Sequence, residues 1–346
     1  MGVPEPLHVW VLSDNQPGHY NQSRGIVAAL ERVRPVRQHW LALQLRVGLA
    51  RNPMRWLLNR AVPPPPVAAL KVFYRMPDLP SPPCDVIVSA GGKTSFANAW
   101  LARHCGARNI FAGSLRRLAP RLFDTVLTLE PLVPAADNNL VLDLPPSAID
   151  VDALNSRGAA LRAKYDLGER QVWTIMLGGD GAGYFYREAD WRQLALLLNR
   201  LAVAYRVRWL LVSSRRTGYA SERLLKRWLD PAYLVAACWY HEGDADCIER
   251  YLGAAERVFV TEDSMTMLTE AIYSQRPVVS LRPARVQSTQ RYAEMIRRFA
   301  DNGWLCRYAI DALSADTQSL QTAHCTPLAA SPLQALSAEL VRRLAL

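Results

Sequence analysis

Small, hydroxyl and carboxylate residues directly follow hydrophobic runs in the second half of the chain. The first run, residues 172–177, leads into Gly178, Gly179, Asp180 and Gly181, and the segment 178–183 holds four glycines in six residues. Glycine allows a ligand to lie against bare backbone, and successive amide N–H groups ahead of a helix favour an anion such as a diphosphate. The segment matches neither GxGxxG nor GxxxxGK[ST]. Taken alone, it fits a glycine-rich surface turn equally well.

Residues 213–217 (SSRRT) end a second hydrophobic run and suit the same ligand. Arg215 or Arg216 can give bidentate, charge-assisted bonds to phosphate oxygens, beside Ser214. A solvated pair of arginines is the alternative.

A third run ends at residues 261–265 (TEDSM). Asp263 or Ser264 is expected to cap the helix that follows, and capping explains the presence of one of these two residues without a ligand. Glu270 shares a helix face with Thr266 and can accept two ribose hydroxyls, the alternative being a solvent-facing glutamate. Because the carboxyl ends of parallel strands meet at one edge of a sheet, the three loops predict a single nucleotide-diphosphate pocket.

His19 follows Pro17 and Gly18 at the turn between the first predicted strand, 7–13, and a predicted helix, 19–32. An imidazole with a pKa near working pH can serve as general base on an acceptor hydroxyl. A lone histidine more often caps or packs, so that alternative stays open. No HExxH, CxxC or clustered-carboxylate pattern predicts a metal, and no GxSxG nucleophile motif is found.

The elements that position these residues alternate regularly. Strands are predicted at 7–13, 36–45, 84–90, 109–112, 123–129 and 140–142 in the first half. Helices and strands then alternate from 153 to 300, among them a helix at 188–205 and a strand at 257–261, and a last amphipathic helix is predicted at 331–346. This alternation predicts an α/β protein of two doubly wound, Rossmann-like domains. We expect an acceptor domain at 1–150, a nucleotide-sugar domain at 151–325 and a C-terminal helix at 326–346.

Composition narrows the class of protein. The chain has 346 residues, 50% hydrophobic and 21% charged, and a net charge of +10, which favours anionic partners. The six cysteines form no CxxC pair and are expected to be reduced. No window is apolar enough for a spanning helix, so a cytoplasmic protein is expected. The basic segment 46–60 could lie on an anionic membrane surface at the inner face of the cytoplasmic membrane, or be an ordinary surface helix.

Five segments in order carry a family resemblance: 12–22 (LSDNQPGHYNQ), 89–93 (SAGGK), 177–181 (LGGDG), 213–217 (SSRRT) and 260–264 (VTEDS). Together they resemble the bacterial relatives of the plant mitochondrial fission factor named for its elongated-mitochondria phenotype. That group is similar to GT-B glycosyltransferases, in which two Rossmann-like domains face a cleft.

The resemblance implies a role for each matching position. His19 would be the base, with an acceptor side formed by Asp14, Gln16, Gly18, Gly91, Gly92 and Lys93. The donor side would be formed by Gly178, Gly179, Asp180, Gly181, Ser214, Arg215, Glu262, Asp263, Ser264 and Glu270. Many GT-B enzymes have a glycine-rich turn ahead of the ribose-binding glutamate, where this chain has residues 261–264.

The sequence therefore favours a metal-independent glycosyltransferase without a cofactor, which moves a sugar from a nucleotide donor to a saccharide or lipid-linked acceptor of the cell envelope. A catalytically silent scaffold that recruits partners at a membrane is one alternative, and a sugar-nucleotide epimerase is another. No nucleic-acid partner is expected. A nicotinamide oxidoreductase is disfavoured because neither glycine turn has GxGxxG spacing followed by an acidic residue.

Overall fold

The structure is a computed structural model that describes residues 5–48, 51–60, 66–81, 84–243, 247–322 and 324–345. The chain forms two compact units: unit 1 is Met1–Ala148 with Pro332–Leu346, and unit 2 is Ile149–Ser331. The roles expected for the two domains stay predictions.

Unit 1 is built on a six-stranded parallel sheet of order β2-β1-β5-β6-β7-β8. Its strands are β1 (Leu7–Ser13), β2 (Val36–Ala42), β3 (Gln44–Leu45), β4 (Tyr74–Arg75), β5 (Val86–Ala90), β6 (Arg108–Ala112), β7 (Thr125–Thr128) and β8 (Asn139–Val141). The short strands β3 and β4 pair with each other in antiparallel fashion. Consecutive buried residues in β1 and β5 reflect a sheet that is covered on both faces.

The helices of unit 1 that precede the boundary are α1 (Pro17–Glu31), α2 (Arg51–Asn59), α3 (Val67–Phe73) and α4 (Ser95–Cys105). Trp10, Phe96, Trp100 and Phe111 belong to the core that α4 shares with the sheet. In α2, Met54 and Leu58 face this core.

Unit 2 contains a second parallel sheet of order β12-β11-β9-β13-β14-β16. Its strands, with two short ones outside the sheet, are β9 (Val172–Met176), β10 (Tyr184–Phe185), β11 (Arg208–Val212), β12 (Leu234–Cys238), β13 (Arg257–Thr261), β14 (Val278–Arg282), β15 (Arg285–Val286) and β16 (Cys306–Ala309). The remaining helices of the chain are α5 (Val151–Lys164), α6 (Glu188–Tyr205), α7 (Tyr219–Trp228), α8 (Ile248–Ala254), α9 (Met265–Tyr273), α10 (Gln290–Asp301), α11 (Ile310–Ala315) and α12 (Pro332–Leu344).

The predicted fold class, two Rossmann-like units with parallel sheets, is confirmed. The helix predicted at 188–205 and the strand predicted at 257–261 have the predicted bounds. Strand β16 is not predicted by the sequence, because four residues are too short to display a period. The C-terminal helix, treated in the sequence as a separate segment, is α12 and packs on α1 within unit 1.

The expectation of six reduced cysteines is wrong for one pair. Cys238 at the end of β12 and Cys247 ahead of α8 form a disulfide. Cys84, Cys105, Cys306 and Cys325 are free thiols. Cys238 and Cys247 are nine residues apart and follow no motif, so only the path of the chain brings them together.

Candidate functional site

The loop after β9 lies at the topological switch point of unit 2. Strand β11 lies on one side of β9 and β13 on the other, so the strand order reverses at β9. Open α/β sheets bind ligands beyond the carboxyl ends of the strands at such a point. The segments 178–183, 213–217 and 261–265 therefore follow three adjacent strands. This strand order agrees with the expectation from the sequence that the three loops lie at one edge of the sheet.

The glycines at the start of the loop are required by close packing. A Cβ at Gly178 would lie 2.2 Å from Oδ2 of Asp263, and one at Gly179 would lie 2.0 Å from the carbonyl oxygen of Arg216. Both glycines are buried. Gly178 and Gly179 thus admit a carboxylate and a neighbouring loop, rather than a ligand, against their backbone.

Three amides of this loop already have protein acceptors. The N–H of Gly178 donates to Thr261 Oγ1 at 2.6 Å, that of Gly179 to Asp263 Oδ2 at 3.0 Å, and that of Gly181 to the carbonyl of Tyr184 at 3.2 Å. The expectation that this stretch of backbone presents a row of vacant donors is therefore wrong for these three amides. The side chain of Asp180 is also used, because its Oδ1 accepts the amide of Tyr186 at 2.8 Å.

Arg216, not Arg215, lies against the glycine loop. Its Nη2 is 2.7 Å from Oδ2 of Asp263, and its Nη1 would be 2.6 Å from a Cβ at Gly181. The Arg216 side chain is 35% exposed, so the charge faces both the buried carboxylate and solvent. Arg215 is exposed and has no ion pair among the described residues. The sequence could not choose between adjacent arginines, since one residue of offset reverses the direction of a side chain.

Asp263 is a buried carboxylate with competing influences on its pKa. Burial raises the pKa of Asp263 to about 6, although the guanidinium of Arg216 and hydrogen bonds from Thr261 and Gly179 lower it. Its side chain is fully buried. A phosphate that drew Arg216 away would raise this pKa further, so anion binding and protonation of Asp263 are coupled.

Glu262 is held by protein groups on both carboxylate oxygens. Arg307 donates to it through Nε at 3.0 Å and Nη2 at 2.6 Å, while the hydroxyls of Tyr184 and Ser280 donate at 2.7 Å and 3.0 Å. Burial and the carboxylate of Glu262 raise the pKa of Tyr184, so its phenol remains a donor. A direct contact of Glu262 with ribose or phosphate stays a prediction, and these four bonds favour a supporting role.

Helix α9 begins at the same edge. Ser264 is its N-cap and accepts the amide of Met267, while Met265 and Thr266 are half-buried. The first turn contains no acidic residue, so the positive end of the helix dipole is available to an anion. Glu270 lies one turn further on and is half-buried, and its contact with ribose remains a prediction.

Hydroxyl groups tie the second loop to the first. Ser214 donates to the carbonyl of Gly178 at 3.2 Å, and Thr217 donates to the same carbonyl at 2.6 Å. Ser214 therefore fixes the glycine loop, and its contact with a diphosphate stays a prediction.

The loop after β1 lies at the switch point of unit 1, between β1 and β5. His19 Nδ1 is 3.0 Å from Oδ1 and 3.1 Å from Oδ2 of Asp14, and the side chains are 37% and 3% exposed. A carboxylate only accepts hydrogen bonds, so it fixes the proton on Nδ1 and leaves a lone pair on Nε2. The amide of Gln16, the N-cap residue of α1, donates to Asp14 as well, at 3.2 Å.

The turn after β5 supports the imidazole. A Cβ at Gly91, whose φ is +86°, would lie 2.2 Å from His19 Nδ1, and one at Gly92 would lie 2.5 Å from Nε of Arg116. Lys93 is exposed, and its carbonyl accepts the hydroxyl of Tyr74 at 2.6 Å. The structure thus brings Asp14, His19 and Gly91 together. It also adds Arg116, which sequence analysis did not consider because Arg116 is in no recognised motif. Gly18 lies in the first turn of α1.

A cavity of about 540 Å³ opens beside the carboxylate end of this pair. Its lining includes Asp14, Asn15, Gln44 and Arg75. This volume lies within the range of small-molecule sites.

His241 has a partner that the sequence did not reveal. Its Nδ1 is 3.2 Å from Oε2 of Glu222, whose side chain is 3% exposed, and Ser213 donates to the other oxygen. The exposed rings of Tyr219 and Tyr240 flank His241.

Two further observations concern metals and membranes. Within the described ranges, no three His, Cys, Asp or Glu side chains are grouped to hold a metal ion. Among the helices of those ranges, none has both the length and the hydropathy needed to span a bilayer.

Residues 17–343 match the family model described as mitochondrial fission ELM1. The chain belongs to this family. No curated protein matches it significantly. The resemblance stated from the five motifs is therefore confirmed.

Solved structures resemble this family member over nearly its whole length. The UDP-GlcNAc 2-epimerase of Methanocaldococcus jannaschii has a TM-score of 0.58 at 13% identity, covering 99% of each chain. The UDP-GlcNAc 2-epimerase of Neisseria meningitidis bound to UDP-GlcNAc has a TM-score of 0.57 at 13% identity, covering 99% of this chain and 100% of that one. MurG of Acinetobacter baumannii has a TM-score of 0.51 at 12% identity, covering 98% and 99%. At such identities the likeness establishes the GT-B-type fold.

Proposed function

We propose that this chain is a GT-B-type glycosyltransferase that moves a sugar from a nucleotide donor to an acceptor hydroxyl. The observation that carries the proposal is the pairing of His19 with the buried carboxylate of Asp14 at the switch point of unit 1. A family model that describes mitochondrial fission and a fold shared with epimerases do not by themselves choose an activity.

His19 would act as the general base. Nε2 accepts the proton of the acceptor hydroxyl as its oxygen attacks the anomeric carbon, and Asp14 stabilises the imidazolium that forms. The bond from the anomeric carbon to the diphosphate oxygen breaks, and the nucleoside diphosphate leaves. Gly91 permits this arrangement because no side chain there crowds the imidazole.

Unit 2 would bind the nucleotide sugar. Arg216 and the N-terminus of α9 supply positive charge for the leaving diphosphate, so the step requires no metal. UDP-GlcNAc is bound in the structure of the Neisseria meningitidis enzyme, and we extend only the class of ligand, a nucleotide sugar, to this chain. The acceptor is proposed to be a saccharide or lipid-linked glycan of the cell envelope.

Nucleotide binding tests the donor half of the proposal. Titration of the full chain with nucleoside diphosphates by calorimetry should detect one preferred base. Arg216→Gln should weaken that affinity about tenfold or more, since it removes charge-assisted bonds to phosphate. The adjacent Arg215→Gln is the matched control and should change affinity less than threefold. Equal losses in both variants would remove Arg216 from the donor site.

Product analysis then separates the alternatives. Incubation with the preferred nucleotide sugar and envelope glycans should yield nucleoside diphosphate only when acceptor is present. An altered nucleotide sugar formed without acceptor would instead identify an epimerase. Nucleotide affinity without turnover would identify a scaffold.

A membrane position for the segment 46–60 is a second proposal. Within α2, Met54 and Leu58 are buried, whereas the Trp56 side chain is 55% exposed. The indole ring of Trp56 is therefore accessible for insertion at a lipid interface. Trp56→Ser should reduce sedimentation with vesicles that contain phosphatidylglycerol, and an exposed valine replaced in the same unit, Val141→Ser, should not.

A further inference from the structure

Four arginines from separate segments of unit 1 line one cavity of about 480 Å³. The cavity includes the residues that precede β6 and β7, Gly106, Ala107 and 122–124. It therefore lies at the amino edge of this sheet, whereas His19 and Gly91 follow the carboxyl ends of β1 and β5. The arginines are Arg60, Arg103, Arg108 and Arg121.

Each guanidinium is oriented by a protein contact. Arg60 stacks 3.8 Å from the ring centroid of Trp56, and Arg108 Nη1 is 2.9 Å from Oδ1 of Asp124. Arg103 donates to the carbonyl of Leu58 at 3.3 Å, and Arg121 donates to the carbonyl of Asn59. A guanidinium has five N–H donors, so at Arg60, Arg108 and Arg121 one such contact positions the group and leaves other donors for a ligand.

The cavity lining carries more positive than negative charge. Asp124 is the one carboxylate among its lining residues, and its other oxygen accepts the amide of Asn109 at 2.8 Å. Carbonyl groups at the end of α2 satisfy donors of Arg103 and Arg121 but neutralise no charge. Like charges at one site repel each other unless an anion joins them.

We propose that this cavity is an anion site that binds a phosphate monoester or diphosphate group. Planar guanidiniums match phosphate oxygens bidentately, and the wall formed by Leu58, Leu122 and Phe123 would accept the apolar part of a phosphate ester. The site is separate from the proposed donor and acceptor sites, and the inference does not depend on the proposed function. The phosphate could come from a lipid headgroup or from a soluble compound.

The test uses the full chain with Arg60→Gln and Arg121→Gln combined, because both residues are exposed and neither pairs with a buried carboxylate. Arg37→Gln with Arg297→Gln removes the same charge from exposed positions outside the cavity and is the control. The probes are inorganic pyrophosphate by calorimetry, and vesicles of phosphatidylcholine with or without phosphatidic acid. Thermal melts of each variant establish that it is folded.

We expect the cavity variant to bind at least one probe about tenfold more weakly, while the control changes less than threefold. Loss confined to phosphatidic acid vesicles identifies a headgroup, and loss of a pyrophosphate site identifies a soluble ligand. Arg60→Lys with Arg121→Lys keeps charge but not the bidentate fork, so it should give an intermediate loss. If the cavity variant and the control weaken binding equally, or neither weakens it, the proposal is overturned.

Discussion

Replacement of Glu262 by glutamine should destabilise unit 2 strongly. The carboxylate is fully buried and accepts four hydrogen bonds, two of them from Arg307. The glutamine amide keeps one acceptor oxygen but turns N–H donors toward Ser280 Oγ or the guanidinium. It also leaves the Arg307 charge uncompensated.

The expected cost is about 3 kcal/mol. Removal of one partner from a buried ion pair costs about 3–5 kcal/mol, and we take the low end because the Arg307 side chain is 30% exposed and glutamine retains the shape. For a unit of this size, a loss of 1 kcal/mol of unfolding free energy lowers the midpoint of thermal unfolding by about 2–4 °C. We therefore predict a fall of about 6–12 °C. Burial raises the pKa of Tyr184, so its phenol stays neutral and does not replace the lost negative charge beside Arg307.

The assay is thermal and urea unfolding of the full chain without nucleotide, followed by tryptophan fluorescence. Trp173 and Trp209 lie in the unit 2 core and report on this transition. Asp78→Asn is the control, because Asp78 is 95% exposed in its pair with Lys71. Surface pairs contribute little, so this variant should move the midpoint by less than about 2 °C. If Glu262→Gln leaves the midpoint unchanged yet abolishes nucleotide affinity, the carboxylate contacts ligand and the supporting role assigned to it is wrong.

Three further predictions concern the candidate sites. Gly91→Ala should lower any transferase rate about 100-fold or more, because its Cβ would lie 2.2 Å from Nδ1 of His19. Gly106→Ala is the control: no atom lies within 4 Å of its Cβ, so its positive φ should cost only about 1–2 kcal/mol of unfolding free energy. Equal rates in these two variants would exclude the crowding argument. Asp14→Asn should lower kcat about 1000-fold with nucleotide affinity unchanged, because the imidazole loses its tautomer and its counter-charge, and an active variant would remove Asp14 from the mechanism. The folded pKa of Asp263, about 6, lies above the ordinary value of 3.8, so the folded state holds the extra proton and the unfolding free energy should fall by about 2 kcal/mol from pH 4 to pH 6 relative to Asp263→Asn, as measured by urea unfolding; a rise relative to that variant would contradict the burial argument.

Much of the fold is predictable from local pattern. Apolar runs of strand length that alternate with amphipathic segments are a property of nearby residues, so β1, β13 and α6 have their predicted bounds. Short segments such as β16 carry too few residues for a period to stand out. The glycine turns were also evident, because only glycine tolerates the close approaches found at Gly91 and Gly178.

The sequence by itself determined two parallel α/β units, a set of polar loops after their strands and membership of a family. Only the tertiary structure decided which groups in those loops are already occupied. The amides of Gly178 and Gly179 bind residues 83 and 84 positions away, and Glu262 pairs with Arg307 across 45 positions. Strand order and side-chain packing set these distances. The sequence pattern indicates which residues follow a strand, but it does not indicate which distant residues form hydrogen bonds with them.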